Sequence, residues 1–526
     1  MPEYLAPGVY IEEFEIGPRP IEGVSTSTAG LLGETKRGPL EPRLVTGLEQ
    51  FTRLYGGFLP IDQSNLPFAV DGFFRNGGQR CFIGRIAAGD AAVAFGVHDG
   101  KMRIEAIGPG TWGNQIAVKV EPASVQLQGA PVTRFKLTVM YWDDPPPTPL
   151  VDPTLPTNAT NPNRRTPTLL EVYDGLSATR SSIDFYEKRI TSASSLIRVT
   201  EVAPDTPAVP LALDFLPNIN GAPGTAGSAV VLADYQGREL PPLPDGTVYK
   251  SGLLGFEQVD EIAIVAAPDH HKVAGLTDDL INQCELLKDR FAVLHSDPGS
   301  DTLGSIQNIR PPRDTQYAAF YFPWIKVFNP LVQQDSLVPP TGHIVGIYAN
   351  TDVERGVFKA PANAVVRGAN SLQFQITKRE QDLLNPRGVN CIRSFPARGI
   401  RVWGARTSST NSLWKYINVR RLFIFIEESI DEGTQWVVFE PNDERLWARV
   451  KQTITQFLTT QWRAGALMGT TAEEAFFVKV DRTTMTQDDI DNGRLICIIG
   501  LAPVKPAEFV IFRLAQFSGG SEITEV

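Results

Sequence analysis

The chain has 526 residues, a length that fits about two to four domains. Of these residues 42% are hydrophobic and 21% are charged, which is typical of globular proteins. Acidic residues outnumber basic ones by 59 to 49, which argues against a nucleic-acid-binding protein because such proteins present a basic face. No apolar run approaches the roughly 18 residues of a transmembrane helix. The first residues lack the basic and apolar regions of a secretory signal, so we expect synthesis and folding in a cytosol.

Residues 1–22 are predicted to form an N-terminal arm. Four prolines flank residues 9–14, which are rich in strand-forming side chains. A strand there has no partner nearby in the sequence, so its backbone groups must be paired by a distant part of the fold or by another chain. The arm residues that we expect between subunits are Val9, Tyr10, Ile11, Glu12 and Phe14.

Residues 23–86 have the pattern of an α/β domain and are interpreted as the first part of the core. An apolar run at residues 29–33 predicts a buried strand. Apolar side chains then recur at helical spacing over residues 48–55 and 68–74, and each stretch ends at glycine or asparagine. A second strand is predicted over residues 81–86.

Residues 87–214 are interpreted as a mainly β domain inserted into the core. Strand-like runs at residues 103–107, 115–120 and 134–142 are separated by turns, with little helical periodicity. Residues 143–167 contain eight prolines in twenty-five positions, which excludes a helix or a central strand and predicts an exposed loop.

No motif in the chain indicates a cofactor. Residues 108–113 match G-x-G-x-x-G, but a dinucleotide-binding loop must open a helix, whereas strand-like residues follow here, so a turn between strands is predicted. The P-loop, H-E-x-x-H and G-x-S-x-G patterns do not occur. The four cysteines, Cys81, Cys284, Cys391 and Cys497, lie more than a hundred positions apart, which predicts buried thiols rather than disulfides or a zinc site.

Residues 215–396 are interpreted as the second part of the core. They contain a βαβ unit, with strands at residues 260–266 and 291–295 around a helix at residues 271–290, which implies parallel strands joined by a right-handed crossover. Residues 317–327 predict one further strand, rich in aromatic side chains.

The best enzymatic grouping follows the two strands of that unit. Asp269, His270 and His271 come after the first strand, and His295 and Asp297 after the second. Because α/β active sites lie at the carboxyl ends of parallel strands, this set could serve an α/β hydrolase or a metal-dependent enzyme. In the alternative interpretation Asp269 caps a helix, the histidines are solvated and Asp297 begins a turn.

Residues 397–502 are interpreted as a C-terminal domain. Before it, residues 342–350 read as the start of a helix or as another apolar run. Within it, a long amphipathic helix is predicted with Asn442 as its N-cap. The apolar stripe of this helix consists of Leu446, Val450, Ile454, Phe457 and Leu458.

Residues 503–526 are predicted to form a C-terminal arm. Residues 507–517 are apolar on both faces, the pattern of a central strand about 35 Å long, yet they stand near the end of the sequence. An uncovered strand of this kind invites association, so either the fold or a neighbouring chain must cover it. The arm residues that we expect between subunits are Phe509, Val510, Ile511, Phe512 and Leu514.

Nine blocks along the chain, taken together, resemble the sheath proteins of contractile tails, which occur in phages and in phage-like contractile injection systems. Their order matches that family nearly from end to end. The blocks are PGVYIEE (7–13), FFRNGG (73–78), GTWGN (110–114), PTGHIVGIY (340–348), KAPAN (359–363), WGART (403–407), YINVRR (416–421), FEPND (439–443) and PVKPAEF (503–509).

The resemblance implies a mixed α/β core with an outer inserted domain, in a structural protein rather than an enzyme. Sheath subunits form a helical homopolymer of stacked hexameric rings around an inner tube. The N- and C-terminal strands of neighbouring subunits join a small sheet on each C-terminal domain. A baseplate triggers contraction, which drives the tube through an envelope using energy stored in packing rather than a nucleotide.

The same resemblance implies the partners and the location. The expected partners are further copies of the chain, the inner tube protein, and the baseplate and terminator proteins, with neither nucleic acid nor membrane insertion. Assembly is expected in the cytoplasm of the producing bacterium, followed by incorporation into a phage tail or tail-like particle. Because type VI secretion sheaths divide this role between two chains, a single chain with both arms indicates a phage tail or an extracellular injection system, and we favour the latter.

By analogy with the family, contact with the tube is expected in the C-terminal domain, where charged residues cluster; a solvated loop is the alternative interpretation. A third hypothesis for the whole chain is a non-contractile binding module that uses the inserted domain to recognise a receptor and never polymerises. The candidate tube-facing residues are Lys479, Asp481, Arg482, Asp488 and Asp491.

Overall fold

The fold was analysed in a computed structural model, which describes residues 20–125, 134–202, 213–217, 219, 221–243, 246–299 and 306–513. The strands are β1 (Ala29–Glu34), β2 (Arg43–Val45), β3 (Cys81–Ile86), β4 (Phe95–His98), β5 (Met102–Ala106), β6 (Ile116–Pro122), β7 (Arg134–Tyr141), β8 (Leu169–Ser177), β9 (Ile197–Glu201), β10 (Leu213–Leu216), β11 (Gly221–Ala222), β12 (Ile264–Ala266), β13 (Phe291–His295), β14 (Ala318–Phe322), β15 (Ile325–Asn329), β16 (Gln334–Val338), β17 (Ala369–Leu372), β18 (Val389–Phe395), β19 (Gly399–Trp403), β20 (Phe476–Lys479) and β21 (Ile498–Leu501).

The α-helices are α1 (Leu48–Tyr55), α2 (Leu66–Arg75), α3 (Tyr186–Thr191), α4 (Leu232–Gln236), α5 (Gly252–Phe256), α6 (Leu276–Leu287), α7 (Thr341–Arg355), α8 (Lys378–Leu384), α9 (Ile417–Thr434), α10 (Glu444–Arg463), α11 (Ala472–Ala475) and α12 (Gln487–Asp491). Short 3-10 turns lie at Thr111–Gln115, Pro156–Asn158, His270–Lys272, Asn385–Arg387 and Gln435–Val437. No helix in the described part of the chain is long and apolar enough to cross a bilayer.

The core is an eight-stranded sheet in the order β19-β18-β14-β13-β12-β1-β3-β2. Its six inner strands are parallel, and the edge strands β2 and β19 are antiparallel. Strands β12, β13 and β14 are buried along their whole length, as parallel strands covered on both faces should be. The predicted mixed α/β fold and the parallel βαβ unit are confirmed.

Helices α2 and α7 pack so closely that their contact requires glycine. A Cβ atom on Gly342 would lie 2.2 Å from the backbone oxygen of Ala69, and one on Gly346 would lie 2.4 Å from that of Phe73. The two glycines are four residues apart, so they share one face of α7. This geometry decides that the apolar run at residues 342–350 is a helix, and it joins two of the sequence blocks in one contact.

Two four-stranded antiparallel sheets, β10-β6-β7-β8 and β11-β4-β5-β9, lie between β3 and β12 and have an apolar core of their own. Helices α4 and α5, which follow them, pack in the main core. The glycine-rich segment is a 3-10 turn between β5 and β6, which confirms the predicted turn. The proline-rich segment is mostly exposed and contains only one 3-10 turn. Strand β11 extends these sheets beyond residue 214, where the sequence pattern placed the end of the insert.

Helices α9 and α10 and the two-stranded sheet β20-β21 surround a third apolar core. Helix α9 connects this core to the main one, because Ile417 and Ile424 pack in the main core while Leu422 and Ile426 pack in the third. The hairpin β18-β19 belongs to the main sheet, so that sheet continues past the boundary inferred at residue 397.

Several local predictions need correction. Residues 317–327 form two strands, β14 and β15, in different sheets, because Pro323 interrupts the main-chain ladder. Strand β12 covers only Ile264–Ala266, and helix α6 begins at Leu276 after a 3-10 turn.

Two further corrections concern single side chains. Asp443 rather than Asn442 caps α10, accepting hydrogen bonds from the amides of Arg445 and Leu446, while the Asn442 oxygen accepts from the Trp447 indole nitrogen. Three cysteines are buried as predicted, but Cys497 is only half-buried.

Candidate functional site

The sheet β20-β21 consists of only two strands in the described residues. Phe476 pairs with Leu501 and Lys479 pairs with Ile498 in antiparallel register. Phe476 and Val478 pack into the third core beside α10, which supports the sheet, since two strands alone are marginally stable in water. Both outer edges of this sheet are without a neighbouring strand in the part of the chain that is described, so backbone groups are available for pairing there.

The N-terminal arm enters the fold on helix α9. Ile21 is buried, and it lies so close to Gly433 that a Cβ atom there would be 2.7 Å from the isoleucine side chain. The amide of Val24 donates to the Ser429 hydroxyl at 3.1 Å. The predicted intersubunit residues Val9, Tyr10, Ile11, Glu12 and Phe14 lie outside the described residues.

The C-terminal arm leaves the fold as an extended, exposed segment. The Val504 amide donates to the Ala466 carbonyl at 3.2 Å, and Leu467 bridges to Pro503. Beyond this point Phe509, Val510, Ile511 and Phe512 are 72%, 68%, 78% and 85% exposed. Leu514 lies outside the described residues.

The predicted strand at residues 507–517 is therefore not formed in the single chain, as far as the described residue 513. A strand exists only through pairing, and nothing in the described part of the chain pairs with this segment. Four consecutive exposed apolar side chains are typical of a surface that another protein covers.

Glu508 ties the base of this arm to the core. Arg406 donates to it through Nε (2.8 Å to Oε1) and Nη2 (2.8 Å to Oε2). Asn385 Nδ2 donates to Oε1 at 2.7 Å, the Tyr416 hydroxyl donates to Oε2 at 3.1 Å, and Lys415 Nζ lies 3.4 Å from Oε2. We call these five residues the Glu508 clamp. Partial burial alone would raise the pKa of this carboxyl, but the bonds from Arg406 and Asn385 outweigh it and lower the pKa to about 2.

The clamp brings together three of the sequence blocks. Arg406 belongs to WGART, Tyr416 to YINVRR and Glu508 to PVKPAEF. Asn418, also of YINVRR, donates to the Val504 carbonyl at 3.1 Å. Sequence reasoning missed these contacts, although the single charged residue of WGART, Arg406, was a usable signal.

The candidate tube-facing residues lie together at the end of β20 and in the connection to β21. Lys479 is exposed, and Asp481 accepts from the Thr483 amide at 2.7 Å. Arg482 Nη2 lies 2.6 Å from Glu444 Oε1. Asp488 is 3.1 Å from Arg494 Nη2, and Asp491 accepts from Gln487 at 2.7 Å. This surface is charged and accessible, with local partners for most of its groups.

The histidines of the enzymatic grouping meet, but inside the fold. His270 Nε2 is 3.0 Å from His295 Nδ1, and His295 Nε2 is 3.2 Å from His271 Nδ1. Thr341 Oγ1 lies 2.6 Å from His295 Nδ1. The His295 amide donates to His270 Nε2 at 3.2 Å, so the proton of neutral His270 lies on Nδ1, which faces Thr277 Oγ1 at 2.9 Å. His270 and His295 are buried, so the interpretation of solvated histidines is wrong for them.

Asp269 has a structural role as well. Its Oδ2 accepts from the Asn65 amide at 2.9 Å and from the Ser64 hydroxyl at 3.1 Å, at the start of α2. It therefore stabilises a helix distant in sequence. In its own 3-10 turn it makes no capping hydrogen bond but forms an ion pair with Lys272, whose Nζ lies 2.8 Å from Oδ1. Among the described residues no group of His, Cys, Asp or Glu side chains is arranged to hold a metal ion.

Burial dominates the electrostatics of the histidine cluster. Desolvation lowers the pKa of His270 to about 3 and lowers the pKa of His295 well below its ordinary value. Both rings are therefore neutral at physiological pH and act as hydrogen-bonding core residues.

Comparison with known proteins gives matches to sheath proteins. The model described as "Phage tail sheath protein central domain" matches residues 246–408, and "Phage tail sheath C-terminal domain" matches residues 409–517. Together they cover just over half of the chain.

Individual sheath proteins of phages match over shorter stretches of the chain. The tail sheath protein of Vibrio phage KVP40 is 27% identical over 193 residues, covering 36% of this chain and 28% of that protein. The tail sheath protein of Salmonella phage ViI is 24% identical over 218 residues, covering 41% of this chain and 34% of that protein. The matched stretch thus spans about a third or less of these relatives.

Solved structures match over nearly the whole chain. The helical sheath of the anti-feeding prophage in its contracted state aligns over 97% of this chain and 99% of that one, with a TM-score of 0.57 and 24% identity. The contracted sheath of the extracellular contractile injection system PVC aligns over 98% and 99%, with a TM-score of 0.57 and 22% identity. The fold is therefore shared with these chains.

Proposed function

Because the chain belongs to the phage tail sheath family, we propose that it is a structural subunit that polymerises helically around an inner tube and contracts. The observation that carries this proposal is the coexistence of an exposed apolar arm at residues 509–512 and a two-stranded sheet with open edges. Neither feature finds a partner among the described residues of one chain, and each complements the other in a second copy. The enzyme alternative has no support, because the family is structural and His270 and His295 are buried.

The assembly mechanism we propose is β-augmentation. The C-terminal strand of one subunit and the N-terminal strand of another pair with β20-β21 of a third, so that main-chain hydrogen bonds link the subunits into a mesh. Each apolar side chain covered in this way contributes about 1.5–3 kcal/mol. Contraction then repacks the subunits without breaking these strand links, and the energy comes from packing.

The finer features of the assembly follow the family. The subunits form stacked hexameric rings, with a tube inside, a baseplate at one end and a terminator at the other. The inserted domain, residues 87–214, faces outward, which its exposed proline-rich segment supports. Assembly takes place in the cytoplasm of the producing bacterium, and the near-complete alignments with two injection-system sheaths favour a tail-like injection particle.

Electron microscopy of the purified chain, expressed alone, tests this function. We expect long, wide, striated tubes in the contracted form, because no inner tube is present to template the extended form. A chain that stays monomeric even with its tube and baseplate proteins would contradict the proposal and favour the non-contractile binding module.

We further propose that the Lys479–Asp491 surface contacts the inner tube. Reversing the charge of Lys479 and Arg482 to Glu should reduce co-purification of sheath with tube about tenfold while tubes of sheath still form, since such changes act on one charged contact surface. The matched control is Lys188→Glu on α3, an exposed lysine of the inserted domain, which should change nothing. Undiminished co-purification of the double variant would remove this assignment.

A further inference from the structure

The Glu508 clamp is the last fixed point before the exposed apolar segment at residues 509–512. Residues up to Val504 are hydrogen-bonded to the segment at 466–467, and Glu508 has an 18% exposed side chain. The side chains of the four residues from Phe509 to Phe512 are exposed to solvent. The position at which the arm leaves the subunit is therefore set at Glu508.

The clamp restrains orientation as well as position. Arg406 binds both carboxylate oxygens in a bidentate pair, and each oxygen has at least one further partner. A planar fork of this kind permits little rotation of the carboxylate, and charge-assisted bonds are about twice as strong as neutral ones. The side chain of Glu508 is thus held toward the core.

When one side chain of an extended segment is held in place, it determines to which face of the segment each following side chain points. Side chains of a strand alternate between its two faces. Once the segment pairs as a strand, Val510 and Phe512 therefore share the face of Glu508, and Phe509 and Ile511 take the other face. A shift by one residue exchanges the two sets.

We propose that the Glu508 clamp is a positioning site that sets the facing and register of the strand donated to the neighbouring subunit. The proposal rests on the proposed function, because it needs the arm to pair with a second copy. In that setting the clamp predefines which apolar side chains meet the recipient sheet. It also reduces the conformational freedom that the arm loses on pairing.

The proposal is tested by comparing the insertion of one residue with the insertion of two residues directly after Glu508. One inserted alanine exchanges the two faces of the strand, whereas two inserted alanines lengthen the arm more but restore its facing. We expect the one-residue insertion to reduce the yield of sedimentable polymer at least tenfold relative to the two-residue insertion, since the two faces carry apolar side chains of different shape and the exchanged set no longer fits the recipient surface. Equal yields from the two insertions would overturn the proposal.

The clamp itself is tested in the same assay. Glu508→Gln keeps the size of the side chain but removes its charge. In this variant the polymer yields with one and with two inserted residues should differ by less than about twofold, because the clamp no longer holds the start of the arm firmly. Amide hydrogen exchange over residues 505–513 of this variant should quicken while the melting temperature of the subunit stays close to that of the wild type. If the one-residue insertion still yields at least tenfold less polymer than the two-residue insertion in Glu508→Gln, another contact sets the register.

Failure of the inference and failure of the proposed function remain distinguishable. If strand donation occurs without a role for the clamp, both insertions assemble equally while proline in the strand still blocks assembly. If strand donation does not occur, proline in the strand has no effect either.

Discussion

Replacing Val510 and Phe512 with proline is expected to abolish polymerisation while leaving the subunit folded and soluble. Proline removes the backbone donor and is excluded from the middle of a sheet. Both side chains are largely exposed in the single chain, so the substitutions should remove no contact within the fold. Sedimentation and electron microscopy at equal protein concentration measure the effect, and we expect monomers where the wild type forms tubes.

The control for this experiment keeps the backbone donors. Val510→Thr and Phe512→Tyr retain strand-forming side chains of similar size, and we expect them to assemble. Deleting residues 1–14 should also prevent polymerisation, because the second strand of the proposed link is lost. Long polymers of the double proline variant would contradict the hypothesis that the C-terminal arm links the subunits.

Mild acid is expected to destabilise the subunit strongly. His270, His295 and His343 are buried, and burial lowers the pKa of His270 to about 3, that of His343 to about 4 and that of His295 well below its ordinary value. In the unfolded chain these rings titrate near pH 6.5. Between that pH and the folded pKa the unfolded state binds more protons, so the free energy of unfolding falls as the pH falls.

The magnitude follows from the width of that window. At pH 5 the pH lies about 1.5 units below the pKa of an unfolded histidine, which costs about 2 kcal/mol for each of His270 and His343. Together these two groups lose about 4 kcal/mol, a large share of the stability of many domains, and His295 adds to the loss in the same direction. The loss is complete only below the folded pKa values, and above about pH 7 these groups contribute no pH dependence.

Urea unfolding of the full-length chain at pH 7 and pH 5 measures this loss. The double proline variant keeps association out of the measurement if it is monomeric as expected. His343→Gln should reduce the difference between the two pH values by about 2 kcal/mol, because glutamine does not titrate. The Nδ1 of His343 has no hydrogen-bond partner among the residues that the structure describes, which makes His343 the mildest of the three positions to change. A denaturation midpoint independent of pH would contradict the buried, neutral state of the cluster.

The pattern of local burial was readable from the sequence. Strand β1 and helix α10 were predicted because an apolar run and an apolar stripe need only their own residues to be recognised. The two arms were predicted for a related reason, since a strand pattern without a nearby partner is itself visible in the sequence. The N-cap of α10 was misassigned by one residue, because Asn442 and Asp443 both suit that position and only the geometry distinguishes them.

The contacts that give the site its form were decided by the tertiary structure. Arg406 and Glu508 are 102 positions apart, and His270 and His295 are 25 apart, so their meeting depends on how whole elements pack. The sequence alone predicted an apolar segment with the pattern of a strand and no partner nearby. Only the fold decided where that segment is held and that no other described residue pairs with it, because the pairing of a strand depends on a neighbouring edge that its own residues do not encode.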